Sequence, residues 1–319
     1  MHQHRLQSLR GPSASGAASE ATRVEDFPAL PPRLRAGDRL GPYRIGEEIA
    51  RGATASVYAA DLRDSARAGT RRRAALKVLS AHLTLLPRGV ERFRREHELA
   101  RSVRHDAILP VDERGEAQGH AYFAMPRESG RTLADLGGSD DRTPAFFERT
   151  ALALSRIADA LAALHRVRVV HRDVKPENVL LAEDGGLRLC DFGSAIDARS
   201  VEDSTELWGT VAYMPPEQLR PGSDPADPSM DVYALGLCLY EAATGARAFP
   251  RLPADELARF KLGRLPAAPR SVEPAIPLGL EAIIRQAIEP DPRFRHPSAE
   301  ALASDLERFG SGKRGRGRS

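Results

Sequence analysis

The sequence predicts an α+β protein of two lobes, strands first and helices after, and two observations carry that reading. At 319 residues the chain exceeds the roughly 100 to 200 residues of a single core. Its apolar pattern also changes, from runs of small and β-branched residues before Leu79 to a three-four helical spacing from Phe93 onward.

Residues 1–36 are rich in Ser, Ala, Gly, Pro and Arg without period and cannot bury enough apolar surface to offset ordering entropy, so a disordered basic arm is expected there. Tyr43 to Ala60 and Ala74 to Leu79 read as strands, separated by a long loop ending in Arg71-Arg72-Arg73. Phe93, Glu96, Ala100 and Val103 then recur at spacings of three, four and three. That places Glu96 on the inward stripe of a helix, while Glu98 shares the outer face with Arg94, Arg95 and Arg101. An unpaired buried carboxylate is costly, and Lys77 is the expected partner.

Phe147, Thr150, Leu154, Ile157, Leu161 and Leu164 continue the helical spacing over five turns, beginning after Thr143-Pro144 as a helix N-terminus does. Asn178–Leu181 and Leu187–Cys190, split by Glu183-Asp184-Gly185-Gly186, read as a tight hairpin. The richest apolar stretch, Val232 to Tyr240, is too short to span a bilayer and reads as a buried helix. Met1 to Gly11 lacks the apolar segment of a secretory signal. Residues 311–319 form a low-complexity basic tail, expected to be disordered.

Net charge is +3, and the excess lies in the tails: residues 1–35 carry five Arg against three acids, and 311–319 four bases and no acid. Such tails offer a surface to nucleic acid, although short charge runs are more often solvated. Of 47 basic residues only Lys77, Lys175, Lys261 and Lys313 are lysines. Cys190 and Cys238 sit in apolar runs, which suits small buried hydrophobes in a reducing cytoplasm better than a disulfide framework.

His171-Arg172-Asp173-Val174-Lys175-Pro176-Glu177-Asn178 is followed thirteen residues after Asn178 by Asp191-Phe192-Gly193. Together they place two metal-binding groups and one proton acceptor on adjacent loops tied by the hairpin. The order resembles the protein kinase family from about Tyr43 to Phe309. The resemblance implies a bilobal kinase domain over 41–310, with a small antiparallel N-lobe (41–125), a hinge (126–130) and a mainly helical C-lobe (131–310). It also implies a serine/threonine protein kinase of bacterial eukaryotic-like type, using ATP with Mg²⁺ or Mn²⁺, acting on protein Ser/Thr hydroxyls and on itself. A pseudokinase scaffold without turnover and a nucleic-acid-associated protein working through its tails are the alternatives. Retention of Lys77, Glu96, Asp173, Asn178 and Asp191 argues against the scaffold.

By that resemblance Asp173 is the base that orients the substrate hydroxyl and accepts its proton, and Lys175 is the γ-phosphate lysine of serine/threonine kinases. Asn178 and Asp191 are the Mg²⁺ ligands, and Lys77 holds the α- and β-phosphates with Glu96 as its ion-pair partner. Ile49 to Val57 occupies the place of the glycine-rich loop, keeping Gly52 but carrying Ala50 and Ala55 where glycines are usual. Ala75 belongs to the nucleotide pocket. Met125 is the gatekeeper, Pro126 offers adenine a carbonyl and Glu128 a backbone N–H, with Arg127 where an aromatic or apolar residue is common. Gly209 to Glu217 resembles the end of an activation segment, with Glu217 expected to pair with Arg295 and Asp231 to brace the catalytic loop. Ser204 and Thr205 are the candidate phosphosites, with Arg172 in position to receive the phosphate.

Overall fold

A six-stranded antiparallel sheet opens the fold, in the order β1-β2-β3-β4-β6-β5. Its strands are β1 (Arg39–Leu40), β2 (Tyr43–Arg51), β3 (Ala55–Arg63), β4 (Arg71–Leu79), β5 (Arg114–Ala117) and β6 (His120–Pro126). The structure is a computed structural model that describes residues 30–63, 71–136, 141–199, 209–220, 222 and 224–312. The expected strand from Tyr43 to Ala60 is two strands, because Gly52 N–H closes a turn onto the Ala55 carbonyl at 2.8 Å and folds Ala50 opposite Val57. Arg71-Arg72-Arg73, expected in a loop, begin β4: they pair with Arg63, Leu62 and Asp61, so that Asp61 faces Arg73 across the ladder. Residues 30–36, placed in the arm by composition, lie against the sheet. Leu34 packs on the cluster of Leu40, Tyr43, Ile45 and Tyr122, and the Pro32 carbonyl accepts from His120 Nε2 at 2.9 Å. Residues 1–29 and 313–319 lie outside the described residues.

Between β4 and β5 run the short α1 (Ala81–Thr84) and α2 (Pro87–Arg101), the latter opened by a proline whose missing N–H has no partner to lose. Phe93, Glu96 and Ala100 face inward as their spacing predicts, with Phe93 stacked 5.1 Å from Phe123 of β6, whereas Val103 lies past the helix end.

The remaining elements form the helical lobe: α3 (Leu133–Leu136), α4 (Pro144–Arg166), β7 (Val169–Val170), β8 (Val179–Leu181), β9 (Leu187–Leu189), β10 (Ile196–Asp197), α5 (Ser229–Thr244), α6 (Ala254–Gly263), α7 (Pro269–Val272), α8 (Leu278–Ala287) and α9 (Ala299–Gly310). Thr143 caps α4 by accepting from Phe146 N–H at 3.3 Å. Phe147, Leu154, Ile157, Leu161 and Leu164 are fully buried along its inner stripe. α5 is buried on all faces, as its unbroken apolar run implies. Its Gly236 is needed for packing, since a Cβ there would stand 2.7 Å from that of Ala287 on α8. Helix α6 is the opposite case and buries only Leu257 and Lys261. Among the described residues no helix is long and apolar enough to cross a membrane.

Candidate active site

The catalytic loop runs from β7 to β8 over the end of α5, and its shape is set by one buried acid. Asp231, wholly inaccessible on α5, accepts His171 N–H and Arg172 N–H at 2.9 Å each and His165 Nε2 at 2.8 Å. Burial alone would raise its pKa, but His165 and these donors hold it below the ordinary value. Arg172 adopts φ 63°, uncommon for a residue with a Cβ, and is fixed there by Asp231 and by its own Nε donating to the Ser194 carbonyl at 2.7 Å. The bracing role expected of Asp231 is thus present, and His165 is a partner that the motifs did not indicate. The Arg172 side chain is buried against Ser194. Ser204 and Thr205, the phosphosites proposed to engage it, lie outside the described residues, as does Ser200.

Asp173 stands at the centre of a polar cluster. Its Oδ1 accepts Thr210 N–H and Thr210 Oγ1–H, both at 2.9 Å. Its Oδ2 accepts Lys175 Nζ at 2.6 Å and Asn178 Nδ2 at 3.0 Å. Lys175 also reaches Thr210 Oγ1 at 3.0 Å. Asn178 spends its second amide proton on the Asp173 carbonyl at 2.8 Å, so that its Nδ2 is committed and its Oδ1 is the atom that could serve a cation. The β8–β9 hairpin returns the chain so that Cys190 N–H donates to the Asn178 carbonyl at 2.9 Å, delivering Asp191 beside this cluster as the spacing predicted. Burial pushes the Cys190 thiol up to about 12, so it serves as a small hydrophobe.

Asp191 is the meeting point of the two lobes. Lys77 Nζ on β4 lies 2.5 Å from Glu96 Oε1 on α2 and 2.8 Å from Asp191 Oδ1. Burial would strip the Lys77 ammonium of its proton, but the two carboxylates override it and hold the lysine charged, above its ordinary pKa. Asp191 faces the cleft on one side. Loss of solvent on its inner side is outweighed by Lys77, which brings its pKa down to about 2. Burial pushes the Glu96 carboxyl up, and Lys77 opposes this. Glu96 therefore has the partner that its place on the stripe required. Two further ties went unread: Arg92, one turn before Glu96, donates to the Gly193 carbonyl at 2.9 Å, and His171 meets the Phe192 ring edge-on at 5.0 Å. The spacing of Arg92 from Glu96 was the available signal.

The donor set suits a hard divalent cation. Asn178 offers an amide oxygen and Asp191 a carboxylate oxygen turned away from Lys77, which is the oxygen-only, few-ligand arrangement that Mg²⁺ accepts when phosphates and waters complete its shell. Among the described residues no cluster of three or more His, Cys, Asp or Glu forms a closed metal cage.

Above the cleft, Ile49 and Ala50 are exposed on β2, Val57 is half-buried on β3, and Ala75 and Met125 pair across β4 and β6. Ala50 and Ala55 both keep negative φ, and Ala55 packs in the apolar cluster of Leu79, Phe93 and Phe123, so neither Cβ strains the turn. At the hinge, Pro126 ends β6 opposite Ala74. The Glu128 side chain turns inward to Arg188 of β9 and accepts Glu183 N–H at 3.1 Å. Arg188 also pairs with Asp184 at 2.7 Å, and Arg127 spans to Glu47 on β2 at 3.0 Å. A charged residue inside the apolar Leu187-Arg188-Leu189 run was the sequence signal for this clasp. Lower in the domain, Arg295 binds Glu217 through both nitrogens at 2.5 and 2.7 Å, the link expected from the sequence.

The chain is similar to several curated proteins. It is 33% identical over 268 residues to the serine/threonine-protein kinase PknL of Mycobacterium bovis, covering 83% of this chain and 65% of that one. It is 33% identical over 294 residues to the serine/threonine-protein kinase PknB of Mycobacterium leprae, covering 89% and 44%. To the tyrosine-protein kinase MasK of Myxococcus xanthus it is 35% identical over 289 residues, covering 84% and 43%. The chain thus spans less than two thirds of the length of these relatives. Residues 43–306 match the protein kinase domain, from the first long strand to the last helix, and with the lysine, the two acids and the asparagine brought to one cleft the chain belongs to that family.

Proposed function

We propose that this chain is an ATP-dependent serine/threonine protein kinase. The observation that carries the reading is the 2.8 Å contact of Lys77 with Asp191, 114 positions apart, which joins the sheet's cation to the acid beside Asp173. Lys77, anchored by Glu96, would present a fixed positive charge to the α- and β-phosphates, and Pro126 and Glu128 would meet adenine through their backbone. Asn178 and Asp191 would hold Mg²⁺, or Mn²⁺ in its place, which when bound offsets phosphate charge. Asp173 would orient the Ser or Thr hydroxyl and take its proton late, as the oxygen–γ-phosphorus bond forms and the bond to the β,γ-bridging oxygen breaks. Lys175, a compact ammonium beside Asp173, would stabilise charge on the transferred group and supports a Ser/Thr acceptor. Protein substrates, autophosphorylation on Ser204 or Thr205 and residence in the cytoplasm belong to the same proposal. Of the five residues whose loss would mark a scaffold without turnover, Lys77 contacts both Glu96 and Asp191, and Asn178 contacts Asp173, which supports the enzyme reading.

The test is to incubate the purified protein with Mg²⁺-ATP and a generic basic protein and map by mass spectrometry which hydroxyls gain phosphate. Transfer to Ser and Thr, with autophosphorylation at Ser204 or Thr205, is expected. No transfer under any divalent ion, or transfer to Tyr alone, overturns the reading.

A further inference from the structure

In a chain that otherwise uses arginine for its positive charge, three of the four lysines lie within the described residues. Two serve the catalytic cluster. The third, Lys261, is 2% exposed, and no carboxylate of the described residues lies at ion-pair distance from it. Its ammonium instead donates to the carbonyls of Val211 at 3.0 Å and Ala212 at 2.6 Å. It also sits 4.6 Å from the centroid of the Phe249 ring and 5.6 Å from that of Tyr233. A cation buried without a counter-ion is expensive, and a merely apolar seat for α6 would be met by leucine or methionine.

The carbonyls it holds belong to the two residues after Thr210, which binds Asp173 through both its N–H and its hydroxyl. Consecutive Cα atoms are about 3.8 Å apart, so the residues beside an acceptor hydroxyl placed at Asp173 have the same reach from that point as Val211 and Ala212. We propose that Lys261 is a positioning residue for the acceptor protein: it fixes the backbone of Val211 and Ala212, and so shapes the surface that receives the extended polypeptide around the Ser or Thr hydroxyl. This inference rests on the reading of Asp173 as the proton acceptor. A compact, rotatable ammonium suits two adjacent carbonyls better than a planar guanidinium, which accounts for lysine at this position.

The groups facing Lys261 are otherwise engaged. Glu217 is paired with Arg295, whose guanidinium shares the Tyr233 ring at 4.9 Å. Glu241 accepts the Tyr213 hydroxyl at 2.9 Å, and burial raises Glu241, Tyr213 and Tyr233 above their ordinary values. Burial lowers Lys261 to about 7, against the pull of Glu217 and Glu241, so its charge is sensitive to mildly alkaline conditions.

The experiment compares the full chain with Lys261→Met, which keeps the stem and removes the donors and the charge, under steady-state phosphorylation of the generic basic protein. KM for the protein is expected to rise about tenfold, the scale of two lost hydrogen bonds, with kcat and KM for ATP within about twofold. In the unaltered chain, raising the pH from about 6.5 to about 9 should raise KM for the protein and leave KM for ATP in place. That dependence should vanish in Lys261→Met if Lys261 rather than Glu241 is its source. An unchanged protein KM, a parallel loss toward ATP, or a pH dependence that survives Lys261→Met overturns the inference and leaves the kinase reading intact. Absence of turnover in the unaltered protein overturns both. Should Lys261→Met not fold, the pH profile of the unaltered chain decides, and a flat protein KM sinks the idea.

Discussion

The catalytic loop and the loop between β2 and β3 both meet the nucleotide in the proposed reaction, yet they are held in contrasting ways. The first is tied from beneath by Asp231 through the N–H groups of His171 and Arg172, with His165 of α4 fixing that acid, and is crowded by Thr210, Lys175 and Asn178. The second is an exposed strand tip, held by ladder hydrogen bonds, a turn at Gly52, and the Thr54 carbonyl accepting from Ser80 N–H at 2.8 Å. A loop that must place a proton acceptor within tenths of an ångström takes buried charge as its support. The β2–β3 tip instead keeps its backbone near solvent and sets Ala50, Gly52 and Ala53 around an exposed Arg51 that pairs with Glu48 at 2.6 Å.

Asp173→Asn should break the rigid side most completely. Removing the proton acceptor is expected to lower phosphoryl transfer by about 10²- to 10⁴-fold, while nucleotide affinity measured by calorimetry stays within about twofold. Retained turnover would show that proton acceptance does not limit the reaction. Asp231→Asn attacks the support instead. It replaces one acceptor oxygen by a donor and strands a buried N–H, so about 1–3 kcal/mol of stability should be lost, read from urea midpoints at constant slope. On the exposed side, Ala50→Gly with Ala55→Gly should change apparent ATP affinity by less than about tenfold, or ~1.4 kcal/mol, since neither Cβ is strained. A much larger gain would mean that the native loop is built to exclude nucleotide.

The smallest effect concerns acid. Asp191 is depressed to about 2 against an unfolded value near 4, so its contribution is fully present above about pH 4 and disappears as pH falls toward 2. In Lys77→Met the carboxyl loses the partner that depresses it, so its folded and unfolded ionisations converge and the acid limb of the urea-midpoint curve should flatten between about pH 4 and pH 2. An unchanged limb would show that Gly193 N–H and His171, not Lys77, set the ionisation of Asp191.

Much of this site was legible because it is local. His171 to Asn178 and Asp191 to Gly193 are short runs whose spacing fixes the hairpin between them, and Glu96 declared itself as an acid on an apolar stripe. Contacts between distant segments were harder to read. The clasp of Glu128 by Arg188 and the burial of Lys261 against Val211 and Ala212 join residues dozens of positions apart; the place of Arg188 in an apolar run signals that it needs a partner, but neither it nor Lys261 carries a sign of which residue that will be. The start of β4 was missed for a related reason. Arg71 to Arg73 show no alternation of their own, and the strand extends because β3 offers partners across the ladder.

The crowding of Asp173 bears on what else could receive the phosphate. A carboxylate offers about four lone-pair directions, and here Thr210 fills two while Lys175 and Asn178 fill the others. A solvent molecule arriving with nucleotide in place finds no vacant acceptor and gains too little from its few contacts to displace any of these donors. A polypeptide brings binding energy from residues far from its hydroxyl and can use it to move Thr210 or Lys175 aside. In the proposed reaction this would suppress futile hydrolysis of ATP, because the base would stay occupied until a rival large enough to unseat its guests had docked.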